Sequence, residues 1–281
     1  MAAEASREEG RDEASGGYEQ PVVAELRRKK FVVVLFQPAQ VRAYAKFHLQ
    51  LAKNDKIDAA LIAVCTADVR KIHAAPDPRL AAFAEHLTMI DQIGEDLARA
   101  KNRLETCRAK PIRQYWKEEI ARLQKLDKTE LKALIAAIRQ HADLANRLEL
   151  IYSVPGIGLP TAVAILVRMP EIGQLTREQA AALGGLAPYD DDSGERNGAR
   201  HIQGGRKRLR QALYSAALPA SFRWNSQLVQ LYERLTRAGK PHKCALIACA
   251  RKLLIFANTM VARGTSWQSA PPERKQALAT A

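Results

Sequence analysis

The sequence predicts a mixed but mainly α-helical fold with a short α/β segment near its amino terminus. Only residues 31–36, Phe-Val-Val-Val-Leu-Phe, are convincing as a strand, because a continuous β-branched and aromatic run is typical of a strand buried on both faces. Residues 79–152 instead carry apolar side chains at spacings of three and four, which predicts long helices. After residue 153, apolar stripes flanked by arginine and lysine predict a separate helical domain.

The amino-terminal part is predicted to contain a leader and a partial α/β domain. Residues 1–12 are acidic and polar, so we expect a disordered leader and no signal peptide. Residues 13–78 would form the α/β domain, with a short helix over 21–30 that turns Val22, Val23 and Leu26 inward. Since one strand cannot form a sheet alone, a strand that is missing or unrecognised must pair with residues 31–36.

Two long charged helices, 79–109 and 111–152, are predicted to meet near Pro111 and form a helical hairpin or short coiled coil over 79–152. The second helix has an apolar seam made by Leu131, Leu134, Ile138, Leu144, Leu148 and Ile151. A seam of this kind serves either assembly with other chains or the packing of an ordinary core-facing helix pair. The sequence leaves both alternatives open.

Residues 153–158, Ser-Val-Pro-Gly-Ile-Gly, precede the apolar run 161–167 and predict a helix, a tight turn and a second helix. This pattern resembles the helix-hairpin-helix motif, in which the amides of a Gly-Ile-Gly turn, here Gly156, Ile157 and Gly158, contact a phosphate without reading sequence. The alternative is a turn with a structural role only. Farther on, Thr-Arg-Glu-Gln at 176–179 has the form of a capping box.

The carboxyl-terminal domain, residues 153–267, is predicted to end in helices over 211–218, 225–237 and 243–261, followed by a flexible tail at 268–281. Arg251 and Lys252 interrupt the apolar run 244–261, which argues against a membrane span. Tyr214, Trp224 and Tyr232 lie among the cations, as stacking or packing residues. Because aromatic residues at helical spacing more often belong to a core, we assign no chemistry to them.

The net charge of +14 predicts a polyanionic partner. The charge is concentrated, because residues 193–263 contain fourteen Lys or Arg against two Glu. Such asymmetry favours a nucleic-acid surface over general solubility. The four cysteines lack paired zinc spacing and the density of a small secreted protein, and we interpret them as ordinary buried thiols in a reducing cytoplasm.

Residues 186–210 are the strongest candidate for a functional site. They open as a loop, because Pro188, three successive aspartates and Gly194 all disfavour regular structure, and Ser193 follows the aspartates. They close at Gly-Gly, residues 204–205, after which a helix begins with cations at Arg206, Lys207, Arg208 and Arg210. Cations next to backbone amides that glycine leaves accessible are suited to bind a phosphate. The alternative is a surface loop followed by a solvated, charged helix start.

Asp55 and Asp58 are three residues apart, so both carboxylates face one way on a helix or its first turn. Two carboxylates on one face can share a divalent metal. The alternative is a pair that caps the helix N-terminus.

A series of short blocks resembles the carboxyl-terminal transposase domain of the insertion-sequence recombinases related to the Piv DNA invertase. In order, the blocks are Val-Pro-Gly-Ile-Gly at 154–158, Pro-Glu-Ile-Gly at 170–173, Gly-Leu-Ala-Pro at 185–188, Asp-Ser-Gly at 192–194, Gly-Gly-Arg at 204–206, Ala-Leu-Tyr at 212–214, Gly-Lys-Pro at 239–241 and Arg-Lys-Leu-Leu at 251–254. Upstream, residues 13–19, 37–42 and 51–58 resemble the RuvC-like (RNase H-fold) domain of the same family.

The resemblance implies a DNA transposase or site-specific recombinase with an Asp-Glu-Asp-Asp carboxylate set. Glu13 matches the glutamate, and Asp55 and Asp58 match the last two aspartates, which would bind Mg²⁺. Asn54 stands where the family has threonine. Ser193 matches the serine nucleophile. The candidate DNA-contacting cations are Arg196, Arg200, Arg206, Lys207, Arg208 and Arg210.

The resemblance further implies DNA at the element ends and target, a structured guide RNA, a homo-oligomer whose protomers share a site, and a bacterial cytoplasmic, nucleoid-associated location without a membrane. The family's first aspartate has no counterpart before Glu13, so we expect an amino-terminally truncated chain. The alternative function is therefore a catalytically inactive remnant that only binds nucleic acid. A structure-specific repair protein built on a helix-hairpin-helix would explain residues 155–158 but not the loop around Ser193.

Overall fold

The computed structural model describes residues 2–5, 20–36, 38–50, 54–69, 77–190, 198 and 200–268. The chain divides into two compact units. The first combines residues 1–76 with Tyr189–Arg208, and the second combines Asp77–Pro188 with the chain from Leu209 onward. The described part is mainly helical, as the sequence predicts.

The first unit contains a small parallel sheet covered by helices. Strand β1 (Ala2–Ala5) pairs with β2 (Val33–Phe36), and Ala2 lies opposite Val33. Helix α1 (Gln20–Arg28) lies in the connection between the two strands, which a parallel pair requires. Helices α2 (Pro38–Phe47) and α3 (Asp55–Ala67) follow, and α3 packs against α2 and β1.

Three details of the predicted amino-terminal part are corrected. The strand that pairs with β2 lies at Ala2–Ala5, inside the segment predicted as a disordered leader. The β2 strand is half-buried rather than buried on both faces, and Leu35 is 38% exposed. Val22 is exposed. Adjacent residues of a helix point in different directions, and here Val23 is the one that points into the core.

The second unit begins with a long helical hairpin. Helix α4 (Pro78–Thr106) and helix α5 (Lys110–Arg139) pack along each other and are joined by Cys107–Ala109. The predicted second helix does not run through to residue 152. It stops at Arg139, and α6 (Ala142–Tyr152) begins after a break at Gln140 and His141.

The apolar seam of α5 and α6 is used inside the unit's own core. Five of its six predicted side chains, from Leu134 to Ile151, are completely buried, and Leu131 packs against them. This burial favours the core-facing alternative over assembly for that stretch. The outer half of the hairpin has a separate small cluster formed by Ile93, Ala100 and Leu123.

The helices that follow are α7 (Leu159–Arg168), α8 (Arg177–Leu183), α9 (Lys207–Pro219), α10 (Ser226–Arg237) and α11 (His242–Arg263). The predicted capping box is confirmed, because Thr176 and Gln179 exchange hydrogen bonds at the start of α8.

Helix α11 is long and apolar enough to cross a membrane, but half of its apolar stretch is buried inside the protein. It packs against α6, α8 and α10, and its buried side chains belong to the main core. These contacts are typical of a core helix. All four cysteines are free thiols. Cys65 and Cys249 are buried, as predicted, whereas Cys107 is half-buried and Cys244 is exposed, so the prediction of buried thiols is wrong for these two.

Candidate nucleic-acid interface

A short two-stranded ladder flanks the segment that contains Ser193. Strand β3 (Pro188–Tyr189) pairs with β4 (His201–Ile202), and Arg200 forms an ion pair with Asp190 at the ends of the intervening segment. Ser193 and Arg196 lie outside the described residues. The described flanks therefore hold the two ends of the segment together.

The chain passes from β4 directly into a cationic helix start. Gly204 and Gly205 have φ angles of 65° and 67°, a left-handed conformation that glycine adopts without steric cost. Arg206, Lys207 and Arg208, here called the cationic cluster, follow at once, and the first turn of α9 contains no acidic residue.

The N-terminus of a helix is already the positive end of its dipole, so cations placed there create a strongly anion-attracting site. Lys207 is exposed, whereas Arg206 and Arg208 are half-buried. Arg210 lies one turn farther on, where its Nη1 donates to the carbonyl oxygen of Gly185 at 3.3 Å. That bond gives Arg210 a structural contact in addition to its charge.

The predicted tight turn joins α6 to α7. Gly156 has a φ angle of 96°, and Ile157 is buried with its amide donated to the carbonyl oxygen of Val154 at 3.0 Å. The Ile157 amide is thus engaged within the turn. Gly158 is exposed at the N-terminus of α7, and no side chain caps that helix. Gly158 is therefore the residue of this turn best placed to meet a phosphate.

A π-helical turn, Ala220–Trp224, connects α9 to α10 and packs against the α6–α7 turn. A Cβ atom at Gly156 would lie 2.4 Å from the Cβ of Ala220, so the two backbones approach as closely as glycine permits. Asn225 is 2% exposed; its Nδ2 donates to the carbonyl oxygen of Pro155 at 3.0 Å, and its Oδ1 accepts from the amide of Leu228 at 3.3 Å.

The π-helical turn carries aromatic side chains outward. The ring of Phe222 lies 4.9 Å from Tyr232 and 6.4 Å from His242, and Tyr232 Oη is 2.6 Å from His242 Nδ1. The guanidinium carbon of Arg223 lies 5.4 Å from the ring centroid of Trp224. From the sequence, no chemistry is assigned to Trp224 or Tyr232, and Phe222 is not singled out. The one available signal is the alternation of aromatic and basic residues at 222–224.

The carboxylate candidates lie in the first unit, but only one is fully described. Glu13 lies outside the described residues, and so does the side chain of Asp55, whose backbone begins α3. Asp58 is half-buried one turn farther along that helix. Among the described residues, no group of three or more His, Cys, Asp or Glu side chains converges on one point.

The cap of α3 is Asn54 rather than an aspartate pair, which corrects the capping alternative. Asn54 Oδ1 accepts from the amide of Ile57 at 2.9 Å. Threonine and asparagine are both good N-cap residues, so Asn54 keeps the cap at a position where the resembled family has threonine. Asp55 is the first residue of α3 and Asp58 lies three residues farther along it.

The far end of α3 is held by a tyrosine. Tyr44 Oη on α2 donates to Asp68 Oδ2 at 2.6 Å, and this hydrogen bond raises the pKa of Tyr44 to about 12. The bond ties α2 to the C-terminal cap of α3. The carboxylate-bearing helix is therefore fixed at both ends, by Asn54 and by Asp68.

Comparisons with known proteins match two parts of the chain. Residues 9–107 match a transposase family model of the DEDD type named for IS110, and residues 148–234 match the model described as the transposase IS116/IS110/IS902 family. The first contains all three carboxylate candidates, and the second contains the α6–α7 turn, Ser193 and the cationic cluster.

Three known proteins are similar to this chain in sequence. The chain is 30% identical over 122 residues to an uncharacterised 43.6 kDa protein of insertion element IS110 in Streptomyces coelicolor, covering 43% of this chain and 30% of that protein. It is 30% identical over 122 residues to the pilin gene-inverting protein of Moraxella bovis, covering 42% and 38%. It is 26% identical over 263 residues to that of Moraxella lacunata, covering 89% and 78%. The matches thus span well under two thirds of the first two relatives.

Proposed function

Because the chain belongs to the IS110/IS116/IS902 family of insertion-sequence transposases, we propose that it cuts and rejoins DNA at the ends of a mobile element. Ser193 would be the nucleophile, and Glu13, Asp55 and Asp58 would hold Mg²⁺. The observation that carries the proposal is the arrangement of residues 188–210, where a short ladder flanks the serine segment and leads straight into the cationic cluster.

The chemistry divides one difficult exchange into two easier steps. Ser193 Oγ attacks the phosphorus, the bond to one DNA oxygen breaks, and that oxygen leaves as a hydroxyl while the phosphate stays attached to serine. The hydroxyl of a second strand then attacks the phosphoserine bond, which releases serine and rejoins DNA without an outside energy source. Mg²⁺ bound by the carboxylates would neutralise phosphate charge.

The cations would hold the scissile phosphate while the exchange takes place. The cationic cluster, together with Arg196 and Arg200, would neutralise charge that develops on the phosphate oxygens and grip the flanking backbone. Arg200 already pairs with the exposed carboxylate of Asp190, so phosphate binding at this arginine would compete with that pair. Gly158 at the start of α7 would add a backbone contact that reads no sequence.

We propose that the serine segment and the carboxylates of one site come from different protomers, as the family resemblance implies. We also propose a homo-oligomer that acts with a structured guide RNA on nucleoid DNA in the bacterial cytoplasm.

Mixing Ser193→Ala protein with Asp58→Asn protein tests whether two protomers contribute to one site. Strand exchange by the mixture, but by neither variant alone, would show that different protomers complete one site.

The central test is covalent adduct formation with DNA carrying the element's own ends, in Mg²⁺. Ser193→Ala should abolish the adduct while DNA binding remains, and Ser215→Ala, at an exposed serine of α9, should retain it. Adducts that persist in Ser193→Ala would remove this serine from the mechanism. If the unsubstituted chain binds DNA but never forms an adduct, the alternative function, an inactive remnant that only binds nucleic acid, is correct.

A further inference from the structure

An exposed group of rings on the second unit has no part in the proposed cutting chemistry. It comprises Phe222 and Trp224 on the π-helical turn, Tyr232 on α10 and His242 at the start of α11, and is here called the ring patch. Phe222 is 55% exposed and Trp224 is 60% exposed, although these are the side chains that proteins most often bury. Apolar rings left in water at this density indicate a binding surface.

Buried contacts fix the backbone of the π-helical turn that carries Phe222 and Trp224. Ala220 and Ser221 are buried, and Ser221 Oγ donates to the carbonyl oxygen of Ala217 at 2.6 Å. The bond from Asn225 to Pro155 fixes the end of the turn. A π-helical turn is rare and is found frequently at functional sites. The rings are therefore exposed by a well-anchored backbone, and not by a loose loop.

The ring patch is also cationic. Residues 219–243 contain five cations and one acid, Glu233. The cations are Arg223, Arg234, Arg237, Lys240 and Lys243, all of them exposed. A polyanion is thus the partner whose charge complements the surface, whereas an apolar protein face would leave these cations poorly solvated.

The ring geometry suits flat ligands. Phe222 and His242 lie nearly parallel, with 21° between their planes, and Tyr232 meets Phe222 edge-on at 65°. Arg223 beside Trp224 places a charge next to a stacking surface. Surfaces that bind single strands combine rings on which bases stack with cations that follow the phosphates.

We propose that the ring patch stacks unpaired bases of single-stranded DNA. Bases within a duplex cover one another's faces, so an open ring surface can stack only on bases that are unpaired or splayed out. This inference rests on the proposed function, since strand cutting and exchange create unpaired segments next to the cleaved phosphate. The α6–α7 turn, joined to the ring patch through Asn225, would hold the adjoining backbone.

The test compares Trp224→Ala and Trp224→Phe with the unsubstituted full chain, using fluorescence anisotropy. The ligand is a labelled oligothymidylate of about 12 nucleotides, within the usual site size of single-strand binders. Trp224→Ala should weaken binding roughly 5- to 150-fold, the range that loss of one base stack produces. Trp224→Phe should bind within a few fold of the unsubstituted chain, because a ring remains.

Two controls separate stacking from charge and from misfolding. Tyr115→Ala removes a ring of similar exposure, 58%, from the outer part of the hairpin and should leave the affinity unchanged. The salt dependence of binding should be the same in Trp224→Ala as in the unsubstituted chain, since no charge is lost. Thermal unfolding should coincide for all variants, because Trp224 is largely outside the core.

An affinity for the oligothymidylate that Trp224→Ala leaves unchanged would overturn the inference, and so would equal weakening by Tyr115→Ala. An RNA of equal length that depends on Trp224 while the DNA does not would also overturn it. If Trp224→Ala instead abolishes self-association seen by sedimentation, the ring patch binds a second copy of this chain and the inference is wrong. Each of these results leaves the covalent-adduct test of Ser193 untouched.

Discussion

Replacing Gly156 by alanine should destabilise the second unit severely for a single methyl group. The added Cβ would lie 2.4 Å from the Cβ and 3.3 Å from the Cα of Ala220. Ala220 is completely buried, and its carbonyl oxygen accepts from the amide of Asn225 at 3.1 Å, so the π-helical turn cannot simply move aside.

Two costs add up at this position. A side chain at a φ of 96° costs about 1–2 kcal/mol, because the Cβ crowds its own backbone in left-handed conformations. Overpacking a well-filled core costs a further 1–3 kcal/mol or so. We therefore expect Gly156→Ala to lower the free energy of unfolding by about 2–5 kcal/mol, measured by urea denaturation followed by circular dichroism.

A double-mutant cycle isolates the steric part. Ala220→Gly removes the methyl group that the new Cβ would strike, so the double variant should recover about 1–3 kcal/mol relative to additivity. Gly94→Ala is the matched control. It lies inside α4, where no atom is within 4 Å of the position that the added methyl group would take, so it should raise stability by about 0.5–1 kcal/mol. A Gly156→Ala cost below about 0.5 kcal/mol, or a cycle without coupling, would refute this reasoning.

Three further predictions concern the cationic cluster, a helix cap and an ion pair. Alanine at all three positions of the cationic cluster should lower the salt slope of DNA binding by up to about 2.7, or 0.9 for each phosphate that is no longer neutralised, in filter-binding titrations; an unchanged slope would make it a solvated surface. The control set on α5 is Lys125, Lys128 and Lys132, which are exposed. Asn54→Ala should cost about 1 kcal/mol of helix stability by circular dichroism and Asn54→Thr only a few tenths, and equal effects would argue against the cap. Hydrogen bonds from Arg79 lower the pKa of Asp143 to about 2, so the stability this pair provides should be present above about pH 4 and be lost as the pH falls to 2. Asp143→Asn should therefore differ from the unsubstituted chain in thermal unfolding at neutral pH, and most of that difference should be lost by pH 2. A difference of undiminished size at pH 2 would contradict the assignment.

Signals that depend on neighbouring residues could be predicted from the sequence. The capping box at Thr176 and Gln179 is one example, because all of its partners lie within four residues. The two helices joined by a turn at Gly156 are another, since the turn residues separate two clear apolar patterns. The break at Gln140 and His141 could not be predicted, because neither residue is a helix breaker and the apolar seam runs through it.

Features that depend on distant parts of the chain could not be predicted. The partner strand Ala2–Ala5 has no β-branched residue, so only its pairing with β2 makes it a strand. Likewise, the exposure of Phe222 and Trp224 follows from Ala220 packing against Gly156, a contact 64 residues away in the chain. Of the candidate site, the cationic cluster and the turn at Gly158 could be placed on the structure, whereas Ser193 and Glu13 remain predictions.

The bond between Asn225 and Pro155 has a mechanical consequence. One buried carboxamide spans two turns whose backbones touch at Gly156 and Ala220, so neither turn can shift without carrying the other along. A single DNA strand lying across both turns would therefore meet a fixed distance between the surface that holds its sugar-phosphate backbone and the rings on which its bases stack. Slippage by one nucleotide would break this match, so a single strand bound as proposed would be held in one register.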